Sequence, residues 1–143
     1  MDSNDSNGGQ GSSGHVVDRQ LSHAIVGCFY EVYNELQYGF VESLYARALE
    51  IAMRERGLRV DREYPLTVMF RGQQIGFHRV DMLVESRVVV ELKSTERVPE
   101  SARRQLRNYV NGLGLKLGIL LHFGPSPRFY RELGTRRAVP KSF

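Results

Sequence analysis

The 143-residue chain contains no tryptophan and one cysteine, Cys28. A single thiol excludes an internal disulfide and suits a reducing compartment, so a cytoplasmic protein is expected. Cys28 lies in an apolar helical stretch and reads as a buried structural thiol. No apolar run approaches the length that crosses a bilayer, and no basic segment followed by an apolar one is visible as a secretory signal. The four histidines, His15, His23, His78 and His122, are scattered, and none forms a pair at metal-ligand spacing. A glycine-rich phosphate loop is also missing.

What remains is an ordinary globular composition, with 41% hydrophobic and 25% charged residues, enough for one domain with one core. The net charge of +4 and pI near 9.5 point to a polyanionic partner. The positive charge is clustered. Arg103, Arg104 and Arg107 share one expected helix, and Arg128, Arg131, Arg136, Arg137 and Lys141 crowd the C-terminal end. Each cluster can equally be a solvated basic surface.

Residues 1–14 are almost entirely Ser, Asn, Asp, Gly and Gln and read as a disordered tail, leaving residues 15–143 as a single domain. From about Asp18 to Leu36, apolar residues recur at intervals of three and four, which predicts an amphipathic helix stopped at Gly39. A second helix is expected from Val41 to Arg56 and ends at Gly57. Strand patterns follow over Arg59–Phe70, Gln74–Val84 and Val88–Lys93, an antiparallel meander with a turn at Arg71 and Gly72. A third helix opens at Pro99 and reaches about Asn111. Leu115–Phe123 is a further buried strand, and 128–133 is a last short strand or a turn. The expected fold is α/β, a mixed β-sheet flanked by helices in the order ααβββαβ. The strand-helix-strand crossover favours parallel pairing of the last two main strands.

The segment from Val80 to Lys93 carries most of the chemical information. Side chains two apart in a strand share a face, so Glu91 and Lys93 point together. If Val84 faces Val88 across a three-residue turn, Asp81 faces Glu91 on the neighbouring strand. The run Val88-Val89-Val90 implies a strand covered on both faces. Two carboxylates set into such a strand pair need partners, and a hard divalent cation would supply one. Solvated carboxylates on an open strand face remain the plain alternative. Glu42 falls in the first turn of the second helix, where the helix dipole alone favours a carboxylate. Gln105 and Tyr109 lie four apart on one face of the third helix, a spacing that packing also explains.

Gly39, Glu42 and Tyr45 spell Gly-x-x-Glu-x-x-Tyr, and the chain here resembles the GxxExxY protein family, a branch of the PD-(D/E)xK nuclease-like superfamily. Asp81 with Glu91-Leu92-Lys93 resembles the superfamily motif, with Val80 in place of the usual proline. Gln105 to Tyr109 resembles the Gln-x-x-x-Tyr motif of RecB-like nucleases, and Leu121 to Gly124 resembles the closing strand, with His122 where asparagine is more usual. The resemblance spans about residues 18–133 and implies a restriction-endonuclease-like core. It further implies a nuclease that hydrolyses phosphodiester bonds with Mg²⁺, for which Mn²⁺ can substitute. Glu42, Asp81 and Glu91 would hold the ion. Lys93 would orient the attacking water, Gln105 and Tyr109 would position substrate or lysine, and Arg103, Arg104 and Arg107 would bind flanking phosphates of nucleic acid, DNA more than RNA.

Two other classes compete. A catalytically silent module on the same fold would bind nucleic acid or a partner without turnover. A glycosidase-type carboxylate pair lacks the aromatic platforms that sugars require. Small size and exposed strands leave a homodimer open.

Overall fold

The computed structural model describes residues 10–135. The elements are α1 (Gln10–Leu36), α2 (Glu42–Glu55), β1 (Val60–Phe70), β2 (Gln73–Val84), β3 (Val88–Lys93), α3 (Ala102–Gly112), β4 (Leu117–Phe123) and β5 (Pro127–Leu133). One five-stranded sheet runs in the order β1-β2-β3-β4-β5. β3 and β4 pair in parallel, while every other neighbouring pair is antiparallel. This is the expected mixed sheet with flanking helices, extended by β5 to ααβββαββ.

The apolar periodicity becomes a sandwich of helices around the sheet. α1 and α2 pack on one face through Ile25, Phe29, Tyr45 and Leu49 against Val88, Val90, Ile119 and Phe123. α3 covers the other face through Leu106 and Val110 against Val89 and Leu120. β3 and β4 are therefore covered on both sides, as the valine run implies, and Cys28 is fully buried. The Val84–Val88 pairing sets the β2–β3 register that was expected from sequence.

Most boundaries fall within two residues of the sequence expectation, and three differences stand out. α1 starts at Gln10 instead of about Asp18, so residues 10–14 of the expected tail are helical, a start that the Ser- and Gly-rich composition does not signal. Residues 1–9 of the expected tail lie outside the described residues, as do Arg136, Arg137 and Lys141. α3 begins three residues after Pro99, whose carbonyl accepts the Ala102 N–H in a preceding turn. The segment 127–133 is a full strand, paired along β4 from Phe123–Pro127 to Leu117–Leu133.

At Gly118 on β4, α3 packs directly on the sheet. A Cβ there would lie 2.6 Å from Val110 Cγ2 and 2.7 Å from Leu106 Cδ1. Gly118→Ala is expected to destabilise the fold by roughly 1–3 kcal/mol through overpacking, read as a lowered midpoint in urea denaturation with an unchanged m-value.

Candidate active site

The site forms at the end of the sheet where β2 and β3 part. Recorded β2–β3 pairing stops at Met82–Val90, and two carboxyl groups continue the hydrogen bonding beyond it. The Asp81 backbone N–H donates to Glu91 Oε2 at 2.8 Å, and the Leu92 N–H donates to Asp81 Oδ2 at 2.8 Å. Each carboxyl commits one oxygen to a backbone donor and keeps the other.

A backbone distortion aims Asp81 here. β1 and β2 pair at Arg62–Met82 and Tyr64–Val80, and Glu63 between them has φ of 52°. In a regular strand Val80, Met82 and Val84 would share a face. Instead Val80 belongs to the core under α3, while Met82 and Val84 belong to the core under α1 and α2. The strand changes face at Asp81, so its carboxyl sits between the two helical layers.

Glu42 approaches from the α2 side, and the Gly-x-x-Glu-x-x-Tyr spacing explains how. Gly39 takes φ of 128°, a left-handed conformation that side chains disfavour, and nothing crowds its missing Cβ. Tyr45 is fully buried and stacks on Phe123 with ring centroids 4.1 Å apart. Its hydroxyl donates to the Gln37 carbonyl and accepts the Phe40 N–H. Ser94, just after β3, donates through Oγ to the Phe40 carbonyl at 2.6 Å. The turn is thus pinned at both ends and presents Glu42 as the first residue of α2. Glu42 and Asp81 line one depression of about 240 Å³ with Arg62.

Burial dominates the electrostatics, and the two carboxyls share a side-chain hydrogen bond that favours Asp81 as the ionised partner. Desolvation pushes Glu91 up to about 8, and the Asp81 charge adds to the push. Asp81 is also raised, first by burial, against the opposing effects of the Leu92 N–H and Lys93. Burial and Asp81 raise Glu42, which Lys93 and the Ser94 backbone oppose. Lys93 therefore acts on all three carboxyls, yet it forms no close ion pair among the described residues. Tyr109 reaches toward the site from α3, its hydroxyl raised first by burial and then by Glu91 and Asp81. Gln105 lies on the same helix face, and both residues line a cavity of about 570 Å³ between α3 and the β1–β2 hairpin.

The expected three-residue ligand set is only partly assembled. Among the described residues, no three His, Cys, Asp or Glu side chains gather into a group that could hold an ion. Asp81 and Glu91 do converge, and Glu42 stands behind Asp81. Two carboxylates still fit Mg²⁺, which keeps several waters and uses one or two protein carboxylates together with substrate phosphate. The donors are hard oxygens, and burial raises the proton affinity of both carboxyls.

The basic helix face has a structural role as well. Arg103 and Arg107 both pair with Glu132 on β5, Arg107 Nη2 at 3.1 Å, and Arg103 also lies over the Tyr130 ring. Glu132 is a buried carboxylate, and leaving it unpaired would be strongly unfavourable. These two arginines hold α3 to β5 while their side chains stay about half exposed, and Arg104 is exposed with no ion pair among the described residues. Arg131 is likewise engaged, donating to Ser22 Oγ at 2.8 Å.

Sequence reasoning missed Arg62, which hydrogen-bonds Glu50 and lowers Asp81 through its charge. A regular hairpin counted back from Arg71 and Gly72 would place it opposite Asp81, and the register shift between Val68 and Met69 moves it beside Met82. His78 joins Gln105 and Tyr109 around the larger cavity, its ring 5.5 Å from that of Tyr109. His122 pairs in register with Lys93, and its Nε2 lies 2.7 Å from the Thr95 carbonyl. It is a buried prop for the loop after β3, with Gly124 leaving room for its ring.

Comparison with known proteins places the chain. The family model of the PD-(D/E)XK nuclease superfamily matches residues 19–135, and the protein belongs to that superfamily. A solved structure described as "Crystal structure of SSO0001" is similar at a TM-score of 0.54 and 16% identity, over 66% of this chain and 50% of that one. The match thus spans half the length of that chain, and at this identity it shows the fold alone. No curated protein matches. No helix among the described residues is long and apolar enough to cross a membrane.

The raised Glu91 has a signed consequence for stability. Because its folded pKa is raised above the ordinary 4.5, the stability contributed by its protonated form is full below about 4.5 and is lost as pH rises through about 8. In chelator, the wild type should lose stability between about pH 6 and about pH 9, while Glu91→Gln should lose less and become the more stable protein at the upper value, by up to a few kcal/mol. Paired thermal melts read this difference, and parallel pH profiles would contradict it.

Proposed function

We propose that the protein is a metal-dependent nuclease that hydrolyses phosphodiester bonds of nucleic acid, with DNA as the favoured substrate. The observation that carries this reading is the pairing of half-buried Asp81 with buried Glu91, hydrogen-bonded across the parting strands with Lys93 on the same edge. Superfamily membership supports the reaction class. The basic charge supports a polyanionic substrate.

Asp81 and Glu91 would hold Mg²⁺, or Mn²⁺ in its place, with Glu42 acting through a water. A divalent cation in this position would acidify an attacking water and polarise the phosphoryl oxygen. Lys93, already placed to act on all three carboxyls, would orient that water and stabilise charge developing on the phosphate. Gln105 and Tyr109 would position the strand, and Arg104 would take a flanking phosphate. The rigid strand pair keeps these groups in one geometry, which phosphoryl chemistry requires.

A second reading keeps the fold and loses the turnover: a module that binds nucleic acid or a partner. The lack of a three-carboxylate group among the described residues favours it. Titration calorimetry with Mg²⁺ separates the two, since a binding module has no cation site that depends on Asp81 and Glu91.

Incubating labelled duplex and single-stranded DNA with Mg²⁺ or Mn²⁺ should give cleavage by the wild type. Asp81→Ala should lower it by more than the roughly 100-fold that loss of a ligand's supporting partner produces. Equal activity of the two proteins, or none in either across several substrates, would count against the nuclease. Arg104→Ala should weaken DNA binding and reduce its salt dependence by about one counterion, while Arg107→Ala should instead lower stability.

A further inference from the structure

The larger cavity, about 570 Å³ between α3 and the β1–β2 hairpin, does not have the chemistry of a phosphate site. None of its lining residues is Lys, Arg, Asp or Glu. Phosphate recognition relies on cations and clustered N–H donors. This cavity instead presents the rings of His78 and Tyr109, the amides of Gln105 and Asn108, the Thr67 residue and aliphatic surface from Leu66. Flat aromatic faces beside amides that both donate and accept hydrogen bonds are what an isolated nucleobase uses: its π-face stacks and its edge is read. The volume lies within the range that holds small organic ligands.

Position adds to composition. Tyr109 is close enough to Glu91 and Asp81 for both charges to act on its hydroxyl. His78 precedes Asp81 by three residues on β2, about 10 Å along an extended strand. The cavity thus lies beside the carboxyl pair, within a nucleotide's reach of a phosphate held there. A base paired and stacked inside continuous duplex cannot enter such a cavity, whereas an unpaired or extruded base can.

We propose that this cavity receives an unpaired nucleobase of the strand to be cut, next to the scissile phosphate, so that the protein prefers single-stranded, frayed or mispaired DNA to continuous duplex. The proposal rests on the nuclease reading for the identity of the neighbouring phosphate. The exposed His78 ring stacks on the base, the buried Tyr109 ring supports His78 from 5.5 Å away, and Gln105 and Asn108 contact the base edge.

The test reads binding without turnover. Asp81→Asn is the background, and the probes are a short DNA duplex carrying one unpaired fluorescent adenine analogue and the same duplex fully paired. The unpaired probe should bind about tenfold more tightly, with its fluorescence quenched by stacking. Adding His78→Ala or Asn108→Ala, both at exposed positions, should remove the preference while leaving affinity for the paired duplex unchanged. Equal affinity for the two probes, or a preference that survives both substitutions, would overturn the assignment. The two readings fail separately. Asp81-dependent cleavage without the binding preference overturns the base cavity alone, and the preference without any cleavage overturns the nuclease while supporting the cavity.

Discussion

Two adjacent carboxylic acids at the end of a strand pair, Glu91 buried and Asp81 half-buried, are the constraint around which this molecule is arranged. Burial raises the proton affinity of both, the Asp81 charge raises Glu91 further, and a side-chain hydrogen bond from Glu91 opposes the rise at Asp81. Such a pair weakens a fold unless something compensates. Local compensation comes from the Asp81 and Leu92 N–H groups, which donate to the carboxyls where the ladder ends, and from Lys93 and Arg62 nearby. The distortion at Glu63 belongs to the same arrangement, because it turns β2 so that Asp81 sits between the helical layers. Departures from regular structure that persist in a well-packed core are expected at functional sites.

The rest of the fold supports that pair from three directions. Under α1 and α2, Tyr45 stacks on Phe123 and hydrogen-bonds both sides of the Gly39 turn, so the position of Glu42 is tied to the core. From the other face, α3 is held against Gly118 by packing and against β5 by the Arg103 and Arg107 pairs to Glu132. That placement fixes Gln105 and Tyr109 beside the carboxyls. At the open end of β3, Ser94 and Thr95 attach the following loop to Phe40 and His122. The tyrosine of the Gly-x-x-Glu-x-x-Tyr pattern is thus a structural pin for the glutamate, and the glycine is the turn that allows it.

Much of this was legible in the residues themselves. The Val84–Val88 turn fixed the register that brings Asp81 opposite Glu91, because pairing in a hairpin is arithmetic once the turn is placed. The parallel β3–β4 crossover followed from the intervening helix, and the two-sided burial of β3 followed from its valine run. The role of the arginines on α3 was not legible. A helical wheel shows that Arg103 and Arg107 share a face, but not that a buried Glu132 lies under it on a strand 25 residues or more away. The change of face at Asp81 was equally hidden, since it depends on a positive φ at Glu63, a residue type that does not advertise one. His78 was ambiguous because its partner, Tyr109, comes from a distant helix.

The central claim is that the free oxygens of Asp81 and Glu91 together form a cation site. A crystal soaked in Mn²⁺ above the pH at which Glu91 ionises tests it most directly through the anomalous signal. The account predicts a peak between the two carboxyls, with Glu42 beyond direct contact or joined through a water. A peak elsewhere with that position empty, or no peak at saturating Mn²⁺, would contradict it.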